Sequence, residues 1–225
     1  MKKAFLLLLL FFTASSEAET VTIGTASIVY ETPQGFVRAD ELFPVQLDEL
    51  DKKFGLNTVL FAKYAPAAYP AIRKADPEAL PDWYVHLAYD EKYSKIPLLR
   101  PGFVAMTALV GKVIGSKYAS DDFKRKLENV FSRAIGRNLT ITNLTQKGFV
   151  EKKGNARSML ATGHAVIEGK SGSLDMRIAT MTTFVLDQYK LITIVQIGRI
   201  GSDADLPVFT REALDRVSQI IPASN

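Results

Sequence analysis

The chain has 225 residues and no cysteine, which excludes disulfides, a thiol nucleophile, cysteine-bound zinc and iron–sulfur clusters. Its hydrophobic content of 47% and charged content of 23% are those of a folded protein rather than a disordered chain. The formal net charge of +4 at pH 7 is modest, so total charge alone indicates no particular partner.

The first residues have the order of a secretory signal peptide. A basic start is followed by a short apolar run, residues 4–12, and then by small residues, which are Ala14, Ser15, Ser16 and Ala18. We predict that residues 1–18 are a signal peptide, cleaved after Ser16 or Ala18, and that residues 19–225 form one globular domain. Because the apolar run is shorter than the roughly 20 residues of a spanning helix, a retained anchor is the weaker alternative. The mature protein is therefore expected in the bacterial periplasm or outside the cell.

The first part of the mature chain alternates between strand and helix patterns. Val21 and Ile23 predict a strand, Gly24 a turn, and residues 28–31 a second strand. A helix is expected where three apolar residues share one helical face, at Leu47, Leu50 and Phe54. Further strands are predicted at residues 58–64 and 83–89, with a short helical piece at residues 71–74 between them.

Two helices are predicted in the middle of the chain. Residues 103–114 are apolar on most sides, which indicates a buried helix, with a membrane-surface helix as the alternative. Ser120 is a suitable N-cap for a second helix. That helix carries an apolar stripe formed by Phe123, Leu127, Val130, Phe131 and Ile135.

The last third of the chain predicts three long strands and a closing helix. The strands are residues 157–168, 174–186 and 190–200, and their short connections indicate antiparallel neighbours. The closing helix is expected to begin at Thr210 as its cap. Because the last strand is apolar on both faces, layers should cover both sides of the sheet. The predicted fold class is α+β, a single mainly antiparallel sheet with helices packed on both faces, as an α/β/α sandwich.

The segment Val29-Tyr30-Glu31-Thr32-Pro33, followed by Gly35-Phe36, and the order of long strands before a closing helix resemble one known family. This is the PsbP/DcrB-like family of α/β/α sandwiches. The resemblance implies a binding or assembly factor without a shared catalytic apparatus, and it assigns no functional residue.

A search for catalytic and cofactor motifs finds none that is complete. Residues 169–171 lack the spacing of a phosphate loop, and residues 169–173 miss that of a serine-hydrolase elbow. His86 and His164 have no second ligand at metal spacing, so we predict no metal site, no cofactor and no catalytic residue. The two histidines would line one site only if their strands were neighbours.

Charge is unevenly distributed along the chain. Residues 117–157 contain ten Lys and Arg against four Asp and Glu, whereas residues 19–56 are acidic. We predict a basic patch formed by Lys124, Arg125, Lys126, Arg133, Lys152 and Lys153. Such a patch suits a protein partner or an anionic envelope component. Nucleic acid is not expected, because the predicted compartment lacks it and no aromatic platform is interleaved with the patch.

The sequence therefore predicts an exported binding protein, or a factor in envelope assembly or stress, without catalytic activity. Two alternatives stay open at this stage. One is an envelope-associated hydrolase whose site is assembled only in the fold. The other is a carrier of a small apolar ligand between the sheet and helix 103–114.

Overall fold

The computed structural model describes residues 18–41, 58–118, 137–152, 154–169 and 172–222, together with residues 121, 124, 125, 128, 129 and 132. Residues 1–17 of the predicted signal peptide lie outside the described residues. The same holds for the helix predicted at Leu47, Leu50 and Phe54, and for the apolar stripe of the helix after Ser120.

The described part of the chain contains nine strands and four α-helices of defined extent. The strands are β1 (Ala18–Ile23), β2 (Ala26–Glu31), β3 (Phe36–Arg38), β4 (Thr58–Pro66), β5 (Trp83–Asp90), β6 (Leu139–Glu151), β7 (Ala156–Gly169), β8 (Gly172–Asp187) and β9 (Lys190–Ile200). The helices are α1 (Tyr69–Ala75), α2 (Glu91–Ser94), α3 (Arg100–Tyr118) and α4 (Leu206–Ile220).

Seven strands form one antiparallel sheet in the order β3-β4-β5-β9-β8-β7-β6, and β1 and β2 form a separate hairpin. Strands β7, β8 and β9 lie side by side, as the short predicted links require, and β6 pairs with β7 at the edge of the sheet. The register at the centre places Leu87 opposite Ile194, and Ile194 opposite Thr183. These three side chains therefore share one face of the sheet.

That face carries the main core. Val85, Leu87, Met181, Ile192 and Ile194 are fully buried there. They are covered by buried side chains of α4 and of the β1–β2 hairpin, among them Phe209, Ala213, Ile220, Ile28 and Tyr30. Helix and hairpin together therefore close this face.

The opposite face is covered by α3 over strands β6, β7 and β8. Phe103 is fully buried against Met159 and Phe184. Gly111 allows this close approach, because a Cβ added there would lie 2.7 Å from the Phe149 ring. Phe103, Met159 and Phe184 thus form a small second core between α3 and the sheet.

The predicted α/β/α sandwich is wrong. Strands account for 51% and helices for 29% of the structure, and the helices are too few and small to form two layers. The two-sided apolar pattern of β9 did indicate covering on both faces. However, a β-hairpin supplies part of the cover on one face, and among the described helices the cover on the other face comes from α3.

Most predicted elements within the described residues are confirmed, but the start of the closing helix differs, and β3, α2 and β6 were not predicted. The closing helix begins at Leu206 rather than at Thr210, because Ser202 and Asp205 form a capping box around a 3-10 turn that leads into it. Strand β6 was not predicted, since Asn143 and Gly148 have positive φ angles and its pairing with β7 is irregular. These irregularities hide the period-two alternation.

Candidate binding cleft

A cleft of about 470 Å³ lies at the sheet end where β9 finishes and β8 begins. Its floor is apolar and includes Ile167, Leu174 and Met176. Loop residues 76–81 form one wall with Leu80 and Pro81. The cleft combines an apolar floor with charged side chains near its rim.

Helix α1 fixes the loop wall. The hydroxyl of Tyr69, a fully buried residue, donates to the backbone oxygen of Ala79 at 2.9 Å. The Arg73 guanidinium donates to the same oxygen at 3.3 Å. Asp76 adds an Asx turn by accepting from the amide of Glu78 at 2.8 Å. The wall is therefore held by hydrogen bonds rather than left as an open loop.

Two arginines line the cleft, and the loop positions both. Arg137 donates to the backbone oxygen of Glu78 at 2.7 Å and lies 3.5 Å from its carboxylate. Arg199 lies 3.5 Å from the carboxylate of Asp82. A guanidinium carries five N–H donors, so each arginine keeps donors beyond those used by the loop. Asp76 and Glu78 also line the cleft, so an anionic group bound above the apolar floor would use the guanidinium donors that these ion pairs leave.

A second groove of about 520 Å³ runs along α4, where Leu206, Pro207 and Leu214 line it. It is shallower and more open than the cleft. Arg211 and Asp215 also line it, at exposed positions, so its charges face solvent.

The two histidines do not share a site. Strands β5 and β7 are separated by β9 and β8, and the register places His86 and His164 on opposite faces of the sheet. His86 has a buried Nδ1 atom without a hydrogen-bond partner among the described residues. Burial, and then the positive charge of Lys63, lower the pKa of His86 to about 4, so its imidazole is neutral near pH 7.

His164 has a carboxylate neighbour but no positioned serine. Its Nδ1 lies 3.7 Å from the carboxylate of Asp175, and both side chains are exposed on the sheet surface. Arg177 of β8 is the residue directly opposite His164. Ser173 lies on the same face of β8, four residues before Arg177. That separation is about 13 Å along the strand, which is too far for a nucleophile and its base.

The structure describes half of the predicted basic patch. Lys124 pairs with Glu128 at 3.9 Å, Arg125 is exposed, and Lys152 lies 5.1 Å from the centre of the Phe149 ring. Lys126, Arg133 and Lys153 lie outside the described residues. The patch as a binding site stays a prediction.

Within the described ranges, no group of three or more His, Asp or Glu side chains is placed to hold a metal ion. The helices in those ranges also include none with the length and apolar character needed to cross a membrane. No protein-family model matches the chain, and no curated protein is significantly similar to it. The resemblance to the PsbP/DcrB-like family therefore stays a prediction.

Sequence reasoning did not find the cleft. Its lining comes from residues near 78, 137, 167, 174 and 199, which no spacing in the sequence connects. In the sequence, Arg137 is one of the ten cations of residues 117–157. Arg199 lies near the end of a strand that its apolar residues predict. The fold alone brings these two cations to one cleft.

Proposed function

We propose that the protein is an exported, non-catalytic binding protein that holds a small amphipathic anion in the arginine-lined cleft. The observation that carries the proposal is the pair Arg137 and Arg199 above an apolar floor. An anionic head would contact the guanidinium groups, and an apolar tail would lie on Ile167 and Met176. The predicted signal peptide supports export.

The size and chemistry of the cleft fit this role. Small-molecule sites usually enclose about 300–1,000 Å³, with mainly apolar walls and a few placed polar groups. Arginine recognises carboxylate and phosphate through paired N–H donors. The guanidinium of Arg137 is held by Glu78, which limits the entropy that a bound anion would remove.

The two alternatives have less support. A hydrolase would need a nucleophile and base in one pocket, whereas neither His164 nor Asp175 lines the cleft or the groove along α4. A carrier holding its ligand between the sheet and α3 would need space that Phe103, Met159 and Phe184 occupy. A role in envelope assembly or stress is compatible with ligand binding and stays a prediction.

Titration with 11-dansylaminoundecanoic acid, a fluorescent carboxylate amphiphile, tests the proposal. We expect saturable fluorescence enhancement, with affinity reduced about tenfold in Arg137→Gln or Arg199→Gln, because each loses a charged hydrogen bond. Arg211→Gln, on the exposed side of α4, should bind like the unmodified protein. The methyl ester of the probe should bind more weakly, because it lacks the anion.

Unsaturable fluorescence, or equal affinity in all three arginine variants, would contradict the proposal. Circular dichroism of each variant establishes that the fold is retained. Arg199→Gln is the safer cleft variant, since the Arg199 side chain is 46% exposed and that of Arg137 only 16%.

A further inference from the structure

Several connections meet at the end of the sheet opposite the cleft. They are the β8–β9 turn at residues 188–189, the described residues 152, 154 and 155 between β6 and β7, and the segment 91–100 that follows β5. We call these three connections the distal tip. Strand β5 pairs with β9, β9 with β8, and β8 with β7, all antiparallel. This register places the three connections at one end of the sheet.

Backbone hydrogen bonds hold the distal tip together. The amide of Leu98 donates to the backbone oxygen of Tyr189 at 2.8 Å. The buried Lys190 ammonium donates to the backbone oxygen of Ser94 at 2.7 Å. The amide of Leu186 donates to the backbone oxygen of Asn155 at 2.8 Å. The tip is therefore a defined surface rather than three independent loops.

Large apolar side chains are concentrated at the tip. Tyr189 is 61% exposed, Leu99 62%, Ile96 56% and Tyr93 41%. They are four of the ten large hydrophobic side chains exposed in the described chain, although the tip is a small part of its surface. Clustered exposed apolar groups usually mark an interaction site.

The two-residue hairpin turn explains the positive φ angle of Tyr189, but it does not explain why a tyrosine stands there. Gln188 and Tyr189 have φ angles of 44° and 61°, the geometry in which Asn and Gly are strongly preferred. A bulky residue at positive φ is costly to the fold. The sequence nevertheless places a tyrosine there and projects its ring into solvent, which is expected where the ring has a binding role.

Exposed cations outnumber exposed carboxylates around these apolar groups. The exposed charged side chains of the tip are Lys92, Lys95, Arg100 and Lys152, against Glu91. Asp90, Glu151 and Asp187 are half-buried, and Asp90 accepts from the amide of Lys92 at 2.8 Å. Lysine and arginine around exposed tyrosine and aliphatic side chains are typical of contact with the interfacial region of a bilayer.

We propose that the distal tip is a membrane-docking surface, which places Tyr93, Ile96, Leu99 and Tyr189 into the headgroup region of a bilayer that contains anionic lipid. Positive charge complementarity selects anionic headgroups, and the apolar side chains anchor the protein among them. The cleft lies at the other end of the sheet and stays open to solvent in this orientation. The proposal does not depend on the ligand proposed for the cleft.

Co-sedimentation of the purified exported protein with vesicles tests this inference. We expect binding to vesicles of equimolar phosphatidylglycerol and phosphatidylethanolamine, and at least about tenfold weaker binding to pure phosphatidylcholine. Tyr189→Gly should weaken binding to the anionic vesicles while retaining the fold, because glycine adopts positive φ readily. The double variant Ile96→Ser with Leu99→Ser should reduce binding about tenfold or more.

Ile72→Ser is the matched control. Ile72 is 50% exposed on α1, at the opposite end of the sheet, so its variant should bind vesicles normally. Absence of binding by the unmodified protein, equal binding to both lipid compositions, or binding that the tip variants retain would each overturn the proposal. A tip-dependent dimer in solution without vesicle binding would also overturn it, because it would identify a second copy as the partner.

Discussion

At the scale of single residues, His86 shows how burial sets the ionisation of the folded protein. Within the part of the chain that the structure describes, its buried Nδ1 atom has no hydrogen-bond partner, and its pKa is lowered to about 4 from an ordinary value of 6.5. The first cause is burial, and the second is the positive charge of Lys63 on the neighbouring strand β4. The sequence identified His86 as a strand residue, but it could not reveal this unpaired nitrogen.

The lowered pKa predicts how stability depends on pH. Between pH 6.5 and about 4 the unfolded chain binds a proton at His86 that the folded protein does not bind. The free energy of unfolding should therefore fall as the pH is lowered through this window, by up to about 3 kcal/mol from this group. Urea denaturation at a series of pH values measures the change.

His86→Gln removes the titrating group, so the variant should lose less stability than the unmodified protein across the same window. If the curve of His86→Gln runs parallel to that of the unmodified protein, the assigned pKa is wrong.

At the scale of elements, the contact between α4 and β9 depends on a residue without a side chain. The rings of Trp83 and Phe209 stack with centroids 4.7 Å apart. They lie directly over Gly198, where an added Cβ would be 2.7 Å from Phe209 and 3.1 Å from Trp83. Arg216 of α4 covers the Trp83 ring at 3.7 Å and also donates to Gln196.

Gly198→Ala should therefore destabilise the protein by about 1–3 kcal/mol, because the methyl group overpacks two buried rings. Thermal or chemical denaturation measures the loss. The control is Gly102→Ala in the first turn of α3, where the nearest neighbour is a Leu98 methyl at 3.3 Å. That variant should be neutral or slightly stabilising, since alanine favours the helix. Equal stability of the two variants would contradict this account of the packing.

The regular elements could be predicted from the sequence, and the irregular ones could not. Strands β5, β8 and β9 alternate without interruption, so their period was visible. Strand β6 contains positive φ angles at Asn143 and Gly148, and its polar residues resemble a loop. The start of α4 was misplaced because a 3-10 turn, capped by Ser202, precedes Thr210 by several residues.

At the scale of the whole molecule, the sheet separates two surfaces of different chemistry. The cleft with Arg137 and Arg199 lies at one end, and the apolar distal tip lies at the other. Neither could be predicted from the sequence, since each is built from segments that only strand pairing brings together. Apolar residues on both faces of β9 did predict covering on both sides. This pattern does not reveal that the β1–β2 hairpin supplies part of the cover on one face.

The most direct test of export and ligand binding is the native mass of the protein recovered from cells after secretion from its own precursor. The account predicts a periplasmic protein that is roughly 2 kDa lighter than the 24.8 kDa precursor. Its native mass should exceed the mass of this processed chain by the mass of a small bound anion. Arg199→Gln should show the processed mass without the additional ligand. Unprocessed protein in the membrane fraction, or processed protein with no bound mass in any preparation, would contradict the account.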